Sequence, residues 1–153
     1  MKAVELVVVN YHTPADLSRF CESLLSSPPG IPWHLTVVNV DSAEPDRLAY
    51  AQIEERFKLS EFANQIGCWD AVGNIGYARA CNEAALKANP FPHEYLAFFN
   101  ADVTLRPHAI DECIAALDAN PEWGVLGPRQ VDSSNRVTHA GIFGTPDHPR
   151  HRA

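Results

Sequence analysis

Polar residues close an apolar run at four places in the chain: Asn10-Tyr11-His12, Asp41-Ser42, Asp70 with Asn74, and Asn100-Ala101-Asp102. A single polar residue at a loop start is ordinary turn and cap chemistry. Four groups in register imply a shared edge that can bind a ligand. No G-x-G-x-x-G follows the first run and no G-x-x-x-x-G-K occurs, so dinucleotide and P-loop chemistry lack their backbone cradle. Lys plus Arg is 12 and Asp plus Glu is 19, a formal net charge of −7, which disfavours nucleic acid as a partner. A bound diphosphate would therefore need another counter-charge, and Mg2+ or Mn2+ held by one or two carboxylates plus phosphate oxygens would supply it. Asp102, at the tip of an apolar run, is the best placed carboxylate.

The elements that must position these groups follow from periodicity. Val4 to Asn10 is nearly continuous apolar sequence rich in valine, the pattern of a strand buried on both faces. Thr13 as N-cap, Pro14 at the first helical position and Leu17, Phe20, Cys21, Leu24 and Leu25 at helical spacing then predict a helix. The unit repeats as a strand over His34 to Val40 with a helix from Pro45 to Phe57. It repeats again as a weaker strand over Ile66 to Trp69 with a helix from Tyr77 to Lys87, closed by Asn89-Pro90. A fourth strand, Tyr95 to Phe99, leads to a helix over Pro107 to Ala119. Serial strand-helix units predict an α/β fold with a mostly parallel sheet flanked by helices. Beyond Pro121 the pattern predicts a short strand at Trp123 to Leu126 and a terminal hairpin, Gln130-Val131 with Val137-Thr138 around Asp132 to Asn135. We place one domain over residues 1–143 and read 144–153 as a disordered or loop-like tail.

With 153 residues, 46% apolar and 20% charged, the composition is that of one globular domain and excludes disordered and fibrous classes. Cys21, Cys68, Cys81 and Cys113 form no Cys-x-x-Cys pair and read as reduced core thiols. No signal-peptide core and no apolar run of about 18 residues occurs, so the expectation is a cytoplasmic protein without a transmembrane segment. Trp33, Trp69 and Trp123 read as core or edge packing, and His148 and His151 as solvated. Arg79 is placed either to reach a diphosphate or to pair with Glu83.

The ordered set Val7-Val8-Val9-Asn10-Tyr11, Val38-Asn39-Val40-Asp41-Ser42, Asn74 to Asn82 and Phe98-Phe99-Asn100-Ala101-Asp102-Val103 resembles a family-2 glycosyltransferase of GT-A fold. Together with Gly124 to Pro128 and His139-Ala140-Gly141 it is most similar to the rhamnosyltransferase-like branch, over residues 4–143. The resemblance implies a UDP- or dTDP-sugar donor, a carbohydrate or other hydroxyl acceptor, and inverting transfer. By match to the family's motifs, Asn10 and Tyr11 would line the base and ribose pocket, and Asp41 would accept from the uracil or thymine N3–H. Asn74, Gly76 and Asn82 would pack under the nucleotide and sugar. Asn100-Ala101-Asp102 stands where the family has D-x-D, leaving Asp102 as the one charged metal ligand. The family's general base lies in a second half, and nothing after Asp132 matches it, so the chain is expected to hold the donor half. A non-catalytic nucleotide-sugar-binding module and a nucleotidyltransferase are the alternatives; the latter would want a glycine-rich basic loop after the first strand, and Asn10 to Pro14 offers none.

Overall fold

A computed structural model describes residues 2–87 and 93–139 and, as backbone, 142–145 and 148–151. The chain divides into two compact units, Met1–Asp111 and Glu112–Ala153. The first holds the strands β1 (Val4–Asn10), β2 (Trp33–Val40), β3 (Ile66–Ala71) and β4 (Tyr95–Asn100). Between them run the helices α1 (Pro14–Ser26), α2 (Glu44–Lys58) and α3 (Tyr77–Lys87). The strands form one sheet in the order β3-β2-β1-β4, and every neighbouring pair is parallel. This is the α/β fold the strand-helix alternation predicts.

β1 and β2 occupy the middle of the sheet, and their sequences explain why. Every residue of β1 is buried, and β2 departs from full burial at one position. Side chains alternate across a strand, so Val7, Val9, Val38 and Val40 share a face. They form one cluster with Ala71 and with Ala80, Cys81 and Ala84 of α3. The opposite face meets α1 and α2: Phe20 of α1 packs tilted against Phe99 of β4 at 5.2 Å, and Phe57 of α2 meets Trp33 of β2 edge-on at 6.2 Å. Leu17, Phe20, Leu24, Ile53 and Phe57 are buried from solvent. Burying one such side chain contributes about 1.5–3 kcal/mol. β3 and β4 are edge strands: β4 alternates between half-buried and exposed positions, while β3 exposes Cys68 and Asp70 and ends on buried Ala71.

One charged side chain sits inside this sheet. Glu5 of β1 accepts from the Thr36 hydroxyl at 2.7 Å and faces His34 Nδ1 at 3.1 Å, both from β2. A buried carboxylate persists only with such partners.

Several expectations are corrected. Trp123 to Leu126 forms no strand, and Trp123 is exposed. Trp33 is core, as read, and Trp69 packs beside the α3 cluster with Lys87 Nζ 3.6 Å above its ring. All four cysteines are free, but Cys68 is exposed on β3, because an edge strand leaves one face uncovered. Helix α4 (Ala109–Ala119) begins two residues beyond Pro107, after His108 takes a left-handed conformation at φ 62°. The hairpin forms as β5 (Gln130–Val131) with β6 (Val137–His139). The segment read as a loop-like tail has an extended backbone: β7 (Ile142–Thr145) pairs antiparallel with β8 (His148–His151). Two strands of four residues need no apolar period to pair their backbones, so periodicity does not register them. Asn89, Pro90, Ala140 and Gly141, invoked in the sequence reading, lie outside the described residues.

Candidate functional site

The carboxyl ends of the four parallel strands open on a cleft of about 450 Å3. Val9 and Val40, the penultimate residue of β1 and the last of β2, line it among the core residues. Its polar wall comes from three loops. The β1–α1 loop and α1 supply Tyr11, Thr13 and Asp16, the β3–α3 loop supplies Asn74 and Gly76 with Tyr77 of α3, and the end of β4 supplies Asn100, Ala101 and Asp102. Residues from three separate chain segments thus meet at one strand edge.

Each loop is held by local backbone chemistry. The Asn74 side chain accepts from the Gly76 N–H at 3.0 Å, an Asx turn that sets up α3. Gly73 and Gly76 take positive φ of 70° and 78°, a region that costs glycine nothing. After β4, the Val103 N–H returns to the Asn100 carbonyl at 3.3 Å, folding Asn100, Ala101 and Asp102 into a turn. Ala101 is buried while Asn100 and Asp102 are exposed. Both flanking side chains therefore line the cleft. Burial raises the Tyr77 hydroxyl to about 12, reinforced by its hydrogen bond to the Cys81 thiol, so Tyr77 enters the cleft neutral.

Beneath the β1–α1 loop lies a polar network. Asn10 is buried and every polar atom of its amide is engaged: Nδ2 donates to Asn39 at 2.9 Å and to Asp46 at 3.0 Å, and Oδ1 accepts from the Thr13 hydroxyl at 3.0 Å and from its N–H at 3.2 Å. Thr13 is therefore the N-cap of α1 without capping it through its side chain. Asp46, 2% exposed, also accepts from the Ala43 N–H at 3.0 Å and faces His12 Nδ1 at 3.3 Å. Its burial works to raise the carboxyl pKa, but the Ala43 N–H, Asn10 and His12 together hold it below the usual value.

The expected site residues thus separate. Tyr11, Asn74, Gly76, Asn100 and Asp102 meet in the cleft. Asn10 does not line it: its side chain turns inward, and its hydrogen-bonding capacity is spent on the protein. Asp41 is outside the lining as well. It takes a left-handed φ of 52°, anchored by its N–H to the Ala71 carbonyl at 3.0 Å, and faces His12 Nε2 at 3.9 Å. Asn82 is exposed on α3 away from the cleft, and Arg79 pairs with Glu83 at 2.7 Å. Thr13, Asp16 and Tyr77 line the cleft without having been singled out for it, and Asp16 is paired with Arg19. Asn39 and Asp46 of the network were also passed over. Asn39 carried a signal, since an amide inside an apolar strand must find a partner.

The donors facing the cleft at β4 are oxygens, the chemistry of a hard cation. Among the described residues no group of three or more His, Cys, Asp and Glu could hold a metal ion. Asp102 contributes one carboxylate and Asn100 one amide oxygen at this edge, donors that suit a hard cation but do not by themselves complete its shell. Among the described residues no helix is long and apolar enough to cross a membrane.

No curated protein matches the chain. Among solved structures it is similar to the mannosyltransferase PcManGT from Pyrobaculum calidifontis in complex with GDP-Man and Mn2+, with TM-score 0.64 and 16% identity over 74% of this chain. It is also similar to S. aureus TarS 1–349 in complex with UDP, with TM-score 0.61 and 18% identity over 89% of this chain. The chain spans 32% and 43% of those two chains. At such identities the likeness shows the fold, which is GT-A. The model of glycosyl transferase family 2 matches residues 5–141, and the chain belongs to that family.

Proposed function

We propose that the cleft binds a UDP- or dTDP-sugar and that the chain is the donor-binding part of an inverting glycosyltransferase of the rhamnosyltransferase-like branch. The observation that carries this reading is the meeting of Tyr11, Asn74, Gly76, Asn100 and Asp102 in one cleft at the carboxyl edge of a parallel sheet. Tyr11 offers an aromatic face to the base, half exposed and backed by the His12 ring at 4.4 Å. Asp41 accepts from an imide N–H, a donor that uracil and thymine carry and cytosine and adenine lack. Asn10 serves as a positioning residue, fixing the loop that presents Tyr11. The related structures hold GDP-Man and UDP, so the donor base is a variable of the fold and must be read from this chain's own residues.

In the transfer, an acceptor hydroxyl oxygen bonds to the anomeric carbon on the face opposite the diphosphate. The carbon–oxygen bond to the diphosphate breaks, and the hydroxyl proton passes to a base. Asp102 and Asn100 would hold Mn2+ or Mg2+, which when bound offsets charge on the departing diphosphate. The neutral Tyr77 hydroxyl and the Thr13 side chain add hydrogen-bonding capacity around the donor. No described residue is assigned as that base.

Thermal shift with UDP, dTDP, CDP, ADP and GDP, each with Mn2+ and with chelator, tests this reading. Stabilisation by UDP or dTDP above the other three supports it, because a ligand of the native state stabilises by mass action. Equal shifts with all five, or none, would remove it.

A further inference from the structure

His12 stands between two carboxylates. Its Nδ1 is 3.3 Å from Asp46 Oδ2 and its Nε2 is 3.9 Å from Asp41 Oδ2. Among the described residues these are the carboxylates within 4 Å of its ring nitrogens, one from the first turn of α2 and one from the loop after β2, with the Tyr11 ring as its neighbour on the β1–α1 loop. The first contact sets the tautomer. Asp46 is buried and charged, already accepts from Asn10 and Ala43, and so accepts from the His12 Nδ1–H as well. A neutral ring with its proton on Nδ1 has a lone pair on Nε2. That lone pair faces the Asp41 carboxylate and gives it nothing to bind. Protonated, the same nitrogen carries a cationic N–H within ion-pair distance of Asp41, and the ring lies between the two carboxylates. Histidine is the side chain whose charge ordinarily changes between pH 5 and 8.

The backbone shows that this pairing is built into the fold. His12 and Asp41 both take left-handed conformations, at φ 55° and 52°, which non-glycine residues adopt rarely. Each conformation is held from outside the pair: Asp41 by its N–H on Ala71, and His12 by the neighbouring hydrogen bonds of Thr13 to Asn10.

We propose that His12 is a positioning residue that clamps Asp41 when protonated and releases it when neutral, making base recognition by Asp41 pH-dependent. This rests on the reading of Asp41 as the acceptor of the base imide. With Oδ2 engaged by the imidazolium, Oδ1 remains to receive the imide N–H in a fixed direction, and the ordering cost is met before the ligand arrives. With His12 neutral, the exposed Asp41 side chain samples other rotamers.

The test uses the full chain and its His12→Asn variant. Asparagine tolerates the left-handed φ, and its amide can still donate to Asp46, but it cannot titrate. The carboxyl carbon shift of Asp41 is followed by NMR from pH 5 to 8. In the wild type it should show an inflection coincident with titration of the His12 ring, and His12→Asn should lose it while keeping the wild-type amide fingerprint. UDP-glucose is the calorimetric probe, because both its phosphates are esterified and keep their charge over this range. Its affinity should be about fivefold tighter at pH 5.5 than at pH 8 in the wild type and equal at the two values in His12→Asn. A featureless Asp41 signal in the wild type, or the same inflection in His12→Asn, overturns the clamp. Absence of UDP-glucose binding at both pH values, with Asp41 still following His12, overturns the nucleotide reading and leaves the clamp standing.

Discussion

The Asn10 amide donates to Asp46 Oδ1 at 3.0 Å, joining the end of β1 to the first turn of α2 across 36 residues of sequence. The same carboxylate receives the Ala43 N–H, so one buried charge ties the start of α2 to the loop that carries Tyr11. Removing it leaves the Asn10 amide and the Ala43 N–H without their acceptor.

Asp46→Ala should therefore destabilise the fold by about 3 kcal/mol, the cost of stranding buried donors. For a chain of this length that is a fall in melting temperature of roughly 6–12 °C. Calorimetry measures it, and a loss below about 1 kcal/mol would show that water satisfies the network in the variant.

Acid should act through the same group. The folded-state pKa of Asp46 lies below its ordinary value, so the unfolded chain takes up the proton first. Its contribution is present in full above the unfolded value, about 3.9, and is lost as pH falls through the folded one. Stability measured by denaturant from pH 6 down to pH 3 should fall less steeply in Asp46→Asn than in the wild type. Parallel curves would assign the acid limb to other carboxylates.

Asp41→Ala should erase the preference for UDP or dTDP over CDP and ADP while costing about 1 kcal/mol of stability, since the half-exposed side chain carries little packing but alanine tolerates the left-handed φ of 52° less well than aspartate. A thermal-shift panel reads both quantities together. Retained preference in the variant would move base recognition to another residue.

Asp102→Ala should abolish the tightening of UDP binding by Mn2+ and leave the melting temperature of the free protein unchanged. The residue is exposed at a strand end and carries no core packing. Calorimetric titrations with metal and with chelator separate the two effects. A metal response of equal size in the variant would place the cation elsewhere.

Gly76→Ala should cost roughly 1–2 kcal/mol through backbone strain at φ 78°, since an added Cβ meets nothing within 4 Å. Gly76→Asn should lose less, because asparagine tolerates the left-handed region. Chemical denaturation distinguishes this from a steric clash, which would penalise the two variants in order of size.

Local pattern determines much of this protein. The valine runs at Val4 to Asn10 and His34 to Val40, Pro14 at the first turn of α1, and the helical period from Tyr77 to Lys87 each report the partition of one segment between core and water, and that information lies within the segment. Parallel strands in register then place their polar ends on one edge, so Tyr11, Asn74, Asn100 and Asp102 are legible as one group, to which the family resemblance adds Gly76. The strand order β3-β2-β1-β4 is not, because it depends on which faces meet across the chain. Nor is the division of labour at the strand ends. Asn10 and Tyr11 are adjacent in sequence, yet one is buried on Asn39 and Asp46 and the other lines the cleft. Asp41 stands outside the lining because a left-handed turn aims it at His12. Which way a strand-end side chain points is decided by one backbone dihedral and by partners some 30 residues away, and neither quantity is written in a local pattern.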